Sequence, residues 1–269
     1  EIRDAIYRGR ADFVYRVTVG EQPFVTGIFP LGARAGAVFT PWIAGWNLAM
    51  EKCTLDAGAE GGAVRHATLS QGAWLTNPIR YAVGTLPETL EKEPNDNAEI
   101  AQPIQPTRIV NGYISAPGDI DVYRFEGKAG EEFVAETQAR RLRSPLDSLL
   151  RLLDAEGNVV AFNDDFEDKG AGMLTHHADS HLSARLPRDG VFYVQVADTQ
   201  GNGGPVFGYR LRMGAPQPDF ELRVTPSTLN AFGRLAAPLT VFALRKDGFD
   251  GEIEVALKNA PKGFTLAGG

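Results

Sequence analysis

The chain has 269 residues with 27 basic and 34 acidic side chains, a formal net charge of −7. That balance excludes nucleic acid and anionic membrane as electrostatic partners, because both require a basic face. Hydrophobic residues make up 43% and charged residues 23%, so the chain is globular, and its length suits two or three domains better than one. The single cysteine, Cys53, excludes an intrachain disulfide and a thiolate metal site, and no run of about 18 apolar residues offers a membrane span.

In chain order, the first residues are charged, Glu1-Ile2-Arg3-Asp4, with no signal peptide, and are expected to begin a piece of a longer protein. Phe13-Val14-Tyr15-Arg16-Val17-Thr18-Val19-Gly20 has the pattern of a strand and is echoed by Phe207 to Gly214. Each copy runs into a Pro-containing link and a new strand, so residues 1–20 are expected to be the terminal strand or strands of a preceding sandwich. Residues 21–87 are expected to form a small β domain. Its Trp42, Trp46 and Trp74, with Phe39 close by, are expected in its core; exposed, they would offer a platform for sugar or polymer. Residues 88–214 form the main domain behind an acidic, Pro-containing hinge, with at most one helical turn at 97–101. Its strands alternate strictly: Phe192, Val194 and Val196 share a face, as do Leu182, Ala184 and Leu186. In Phe207 to Met213 both arginines are expected to point outward. Residues 215–269 begin a second small, truncated β domain, with strands at Phe220–Val224 and Gly251–Leu257. Turn signals such as Pro117-Gly118-Asp119, Glu156-Gly157-Asn158 and Asp247-Gly248 separate the strands, and 30 glycines and 17 prolines fit many short strands. The fold class is therefore all-β, built of sandwiches.

Two segments concentrate oxygen ligands. Glu91-Lys92-Glu93-Pro94-Asn95-Asp96 puts Glu91, Glu93, Asn95 and Asp96 within six positions, and Asp119 and Asp121 lie two apart at a strand entrance. Carboxylates from two loops, completed by carbonyls and water, could supply the six to eight hard oxygens that calcium takes. A solvated acidic turn is the alternative. These segments resemble the bacterial pre-peptidase C-terminal domain, through Glu93-Pro94-Asn95-Asp96 and Gly118-Asp119-Ile120-Asp121-Val122-Tyr123-Arg124-Phe125. The Asp147 to Gly157 hairpin, Asn163-Asp164-Asp165 and Asp189 to Val196 extend the match. The resemblance covers about 89–214. It implies a jelly-roll-like β-sandwich of a secreted protein, related to the collagen-binding domains of clostridial collagenases. It also implies calcium held by Glu91, Glu93, Asn95 and Asp96 from the linker with Asp119 and Asp121, and Ser115 contributing a carbonyl. The flanking segments are similar to immunoglobulin-like modules.

Other candidates carry less. Asn163 to Asp168 is a second acidic run, readable as a calcium loop or as a turn held by its own side chains. His176-His177-Ala178-Asp179-Ser180-His181 holds three histidines, but it precedes a strand rather than lying on the helix a zinc-protease motif needs. Asp179 and Ser180 are expected to tie down the loop entering Leu182. There is no Gly-x-Ser-x-Gly elbow and no phosphate-cradling loop, so no enzyme is expected. The chain is expected to be a calcium-stabilised binding or spacer module of an exported bacterial protein, outside the cytoplasm. An accessory domain that brings a hydrolase to extracellular polysaccharide or protein, and a metal-dependent hydrolase using the histidine segment, stand as alternatives.

Overall fold

The computed structural model describes all residues except 1, 4–8, 11–12, 60–62, 173–174, 231–232, 234 and 269. Residues 24–84 form β1 (Phe24–Phe29), β2 (Gly32–Arg34), β3 (Val38–Phe39), β4 (Trp42–Trp46), β5 (Leu55–Asp56), β6 (Ala63–Ala67), β7 (Ser70–Gln71), β8 (Trp74–Leu75) and β9 (Ile79–Gly84). β1 pairs with β4, and β9 lies between β2 and β6. Val25, Ile28, Ile43, Leu55, Ile79 and Val83 fill a core of their own.

The central unit comprises β10 (Glu88–Leu90), β11 (Gln102–Pro103), β12 (Arg108–Tyr113), β13 (Ile120–Gly127), β14 (Glu132–Gln138), β15 (Ser148–Asp154) and β16 (Val159–Asn163). It continues through two short strands, β17 (Phe166–Glu167) and β18 (His176–His177), to β19 (His181–Arg185), β20 (Gly190–Asp198) and β21 (Gly208–Gly214). One five-stranded sheet has the order β10-β12-β21-β14-β19, the other β11-β13-β20-β15-β16. Alternation decides which residues meet between them. Tyr123 and Phe125 of β13, Leu150 and Leu152 of β15, Phe192, Val194 and Val196 of β20, and Tyr209, Leu211 and Met213 of β21 all face the shared core. Phe125 and Phe133 stack across it with ring centroids 4.3 Å apart. This is the expected all-β sandwich. The last elements are β22 (Asp219–Thr225) and β23 (Thr240–Lys246), an antiparallel hairpin. No helix among the described residues is long and apolar enough to cross a membrane.

Both arginines of β21 point away from the sandwich core, as expected, but not into water. The first small unit covers that side of the sheet at Arg210, which is 1% exposed. It donates to the Ala82 carbonyl at 3.2 Å and to Glu88 at 2.7 Å. Phe29 meets the Tyr113 ring edge-on at 5.2 Å, and Leu142 of the sandwich is buried in the core of the first unit. Burial pulls the Arg210 guanidinium below its usual value, against the pull of Glu88. Arg210→Met is expected to cost about 1–3 kcal/mol in urea unfolding, because Glu88 keeps its charge and loses its partner. Adding Glu88→Gln should recover part of that loss, and strictly additive costs would refute the pairing.

Phe13 to Gly20, expected as the end of a preceding sandwich, pairs with no strand among the described residues, and Val14 is 86% and Val19 91% exposed; the partner strands that expectation invokes lie outside this chain. Two other expectations fail. Gly251 to Leu257 likewise alternates in sequence without being a strand. Alternation fixes which side chains share a face, but a strand also needs a neighbouring backbone to bond. The tryptophans are the second case: Trp46 is 71% and Trp74 54% exposed, so these two are not core, while Trp42 is half-buried and Phe39 packs against the core.

Candidate metal centre

The acidic segment is not a hinge but an edge of the sandwich. β10 runs parallel to β12, and the chain continues with the Glu91 amide on the Asn111 carbonyl at 2.9 Å. The Lys92 amide donates to the Gln102 side chain at 2.7 Å, and that side chain returns a bond to the Leu90 carbonyl at 3.1 Å. The Val122 amide donates to the Asn95 carbonyl at 2.9 Å, locking the segment onto β13. Asn97 accepts the Glu99 and Ile100 amides and forms the expected short turn.

This placement carries the carboxylates to one end of the sandwich, where β13 enters. Asp121 shares the inward face of β13 with Tyr123 and Phe125 and is fully buried. Its Oδ2 accepts the Tyr209 hydroxyl at 2.5 Å. Glu91 accepts the Tyr123 hydroxyl at 2.8 Å, the Tyr209 hydroxyl at 3.0 Å and the Tyr113 amide at 3.0 Å. Glu93 holds the Asn95 amide at 3.0 Å. The turn before β13, with Gly118 at φ 83°, presents Asp119, whose Oδ2 accepts the Ser115 amide at 2.6 Å. Ligand atoms of Glu91, Glu93 and Asp121 all lie within 4.8 Å of one another, and so do those of Glu93, Asp96 and Asp119. The two trios share Glu93. Six of the seven residues singled out in the sequence thus converge with their side chains, and Ser115 joins through its amide.

Electrostatics at this cluster is unfavourable without a cation. Burial first, and the Glu91 charge second, push the Asp121 carboxyl up to about 10. Glu93 is raised by burial and by Glu91, Asp119 and Asp96. Burial beside these acids lifts both Tyr123 and Tyr209 well above their usual value, so they remain hydrogen-bond donors. The hydrogen bonds of this cluster leave atoms unmet: Oδ1 of Asp121 and Oδ1 of Asn95 are buried with no hydrogen-bond partner. A buried, unpartnered oxygen costs about 1–3 kcal/mol. The donor set is all oxygen, drawn from two separate segments, which fits a hard divalent cation of the calcium type and not a zinc-type site of nitrogen and sulfur.

Sequence reasoning missed the two tyrosine hydroxyls and Gly112. Tyr209 was visible as an inward residue of an alternating strand, but nothing in the pattern paired it with Asp121, 88 positions away. A Cβ at Gly112 would sit 2.5 Å from the Tyr209 hydroxyl and 2.9 Å from a Glu91 oxygen. Gly112→Ala is accordingly expected to lower stability by about 1–3 kcal/mol through overpacking; an unchanged melting temperature would rule out this crowding.

The other candidates do not assemble into a metal site among the described residues. Asn163 accepts the His181 amide and donates to the Asp165 carbonyl, and Asp168 accepts the Gly170 amide, so the second acidic run holds its own turns. The three histidines face three different acids: His176 is 3.9 Å from Glu167, His177 3.6 Å from Asp179, and His181 3.1 Å from Asp247. Asp179 accepts the amides of Ala139 at 3.0 Å and Arg140 at 2.6 Å, so it ties down the loop as expected.

The fold is an all-β sandwich with oxygen-bearing side chains gathered at one end, and the chain is similar to the pre-peptidase C-terminal domain. The solved structure of that domain from a collagenase of Bacillus anthracis aligns with 46% of this chain and 99% of its own, at 16% identity and a TM-score of 0.30. PliG of Aeromonas hydrophila, a periplasmic inhibitor of g-type lysozyme, aligns with 48% of this chain and 98% of its own, at 13% identity and a TM-score of 0.32. In sequence, 108 residues are 36% identical to a probable subtilase-type serine protease of Deinococcus radiodurans. That match covers 39% of this chain and only 14% of the protease. No family model matches the chain.

Proposed function

We propose that this chain is a non-catalytic accessory segment of a larger, exported protease-type protein, whose central sandwich is stabilised by calcium at the Glu91–Asp121 centre. The division into units 21–87, 88–214 and 215–269 belongs to this reading. The observation that carries it is the pair of buried, unpartnered oxygens of Asn95 and Asp121 among five carboxylates. Glu91, Glu93, Asn95, Asp96, Asp119 and Asp121 would hold the ion, with Ser115 beside them. The ion would supply positive charge where linker and sandwich carboxylates otherwise repel, joining the two segments. The 36% identity to a subtilase-type protease supports a place beside a peptidase. Calorimetric titration of calcium chloride into chelator-treated chain tests the reading. Saturable binding of one or two ions, lost in Asp119→Ala, is expected; no heat at millimolar calcium would end it. Peptidase assays on the chain alone should show no turnover.

A further inference from the structure

We propose that the exposed aromatic patch of the first unit is a stacking platform for a neutral polysaccharide. This deepens the accessory-module reading by naming what the segment holds. In the β1–β4 ribbon, Val25, Ile28 and Ile43 face the core, and Phe24 and Trp46, cross-strand partners, face the other way. At its far end that outer face is covered by the sandwich: Gly27 lies against the Val206 side chain and Phe29 against Tyr113. The near end is open, with Phe24 49% and Trp46 71% exposed. Trp74, 54% exposed, is tied to the same place. Its ladder partner Gln71 donates to the Asn47 carbonyl at 2.8 Å and accepts the Ala49 amide at 2.7 Å. Both indoles therefore sit on backbone fixed by strand pairing and by an amide clamp, at one end of the unit and in water.

An exposed aromatic cluster on a fixed scaffold marks a binding surface. Phe24, Trp46, Asn47, Gln71 and Trp74 carry no charge, and the chain's net charge of −7 repels anionic polymers. Sugar rings match such a surface: their C–H faces lie on indole while their hydroxyl edges remain hydrated, the amphipathic contact that suits tryptophan. The test is co-sedimentation of the 269-residue chain with insoluble cellulose, chitin and xylan, with pectate as the anionic control. Retention on a neutral polymer and none on pectate is expected. Trp46→Ala and Trp74→Ala should each weaken retention about tenfold, a loss of about 1.4 kcal/mol per ring, with unchanged melting temperature because both rings are exposed. No retention on any neutral polymer, retention indifferent to the double substitution, or a protein ligand alone engaging these tryptophans would overturn the proposal. Calcium-dependent melting of the double variant should match the parent, so this proposal and the calcium reading fail separately.

Discussion

Calcium added to chelator-treated chain is expected to raise the melting temperature of the sandwich, and Asp121→Ala is expected to abolish the rise. At a hundredfold excess over its Kd, a ligand that binds only the folded state contributes about 2.7 kcal/mol. Without calcium the same substitution should be close to neutral or stabilising, because it removes a buried acid beside Glu91 while the Tyr209 hydroxyl keeps Glu91 as acceptor. This reversal of sign with calcium is a stronger test than the loss alone; a variant equally destabilised with and without calcium would refute the site. The pH dependence follows from the raised Asp121 pKa. The folded value lies near 10 and the unfolded value near about 4. The stability contributed by the protonated group is therefore full below about pH 4 and declines as pH rises toward the folded value, by about 1.4 kcal/mol per unit for one proton. In chelator, melting temperatures should fall between pH 5 and 8. With calcium the bound form is the carboxylate, so the increment due to calcium should grow over the same interval.

Asp247→Ala is expected to release the final hairpin from the sandwich at a cost of about 3–5 kcal/mol, the range for removing one partner of a buried ion pair. Asp247 occupies the turn after β23 in a left-handed conformation, φ 50°, with its side chain 1% exposed. It accepts both Arg212 terminal nitrogens at 2.7 and 3.1 Å and the Gln217 amide at 2.7 Å, and it lies 3.1 Å from His181. Burial alone would raise its pKa, but the bonds from His181, Arg212 and the Gln217 amide overcome that and hold it well below the carboxylate range. The latch is thus intact above about pH 4 and weakens only in stronger acid. Its loss leaves Arg212 with Glu136 alone. Limited proteolysis should then cut within 215–218, and small-angle scattering should show a longer particle; unchanged scattering and protection would contradict the latch.

The inner faces of the sandwich were legible because a buried face writes itself as alternation: Phe192, Val194 and Val196, or Tyr209, Leu211 and Met213. The acidic cluster was legible because two short segments crowd oxygen-bearing side chains and together resemble the pre-peptidase C-terminal motifs. What alternation does not encode is what lies over the opposite face. Arg210 faces outward and is nonetheless buried, because another unit packs there. Trp46 and Trp74 have the composition of core residues and stand exposed, Trp46 at the open end of the β1–β4 ribbon and Trp74 on the β7–β8 hairpin. Phe13 to Gly20 and Gly251 to Leu257 have strand-like sequence without a paired backbone among the described residues. The hydroxyl pair of Tyr123 and Tyr209, centred 2.5 Å apart, depends on strands that meet only in three dimensions.

The parallel pairing of β10 with β12 also bears on mechanics. β10 follows β9 after three residues, so tension entering from the first unit reaches the sandwich along the axis of β10. Glu88, bound to Arg210 and to the Asn111 side chain at 2.8 Å, adds anchors at the point of loading. The entry from the first unit into the sandwich is thereby held by side-chain bonds at Glu88 as well as by the β10–β12 ladder.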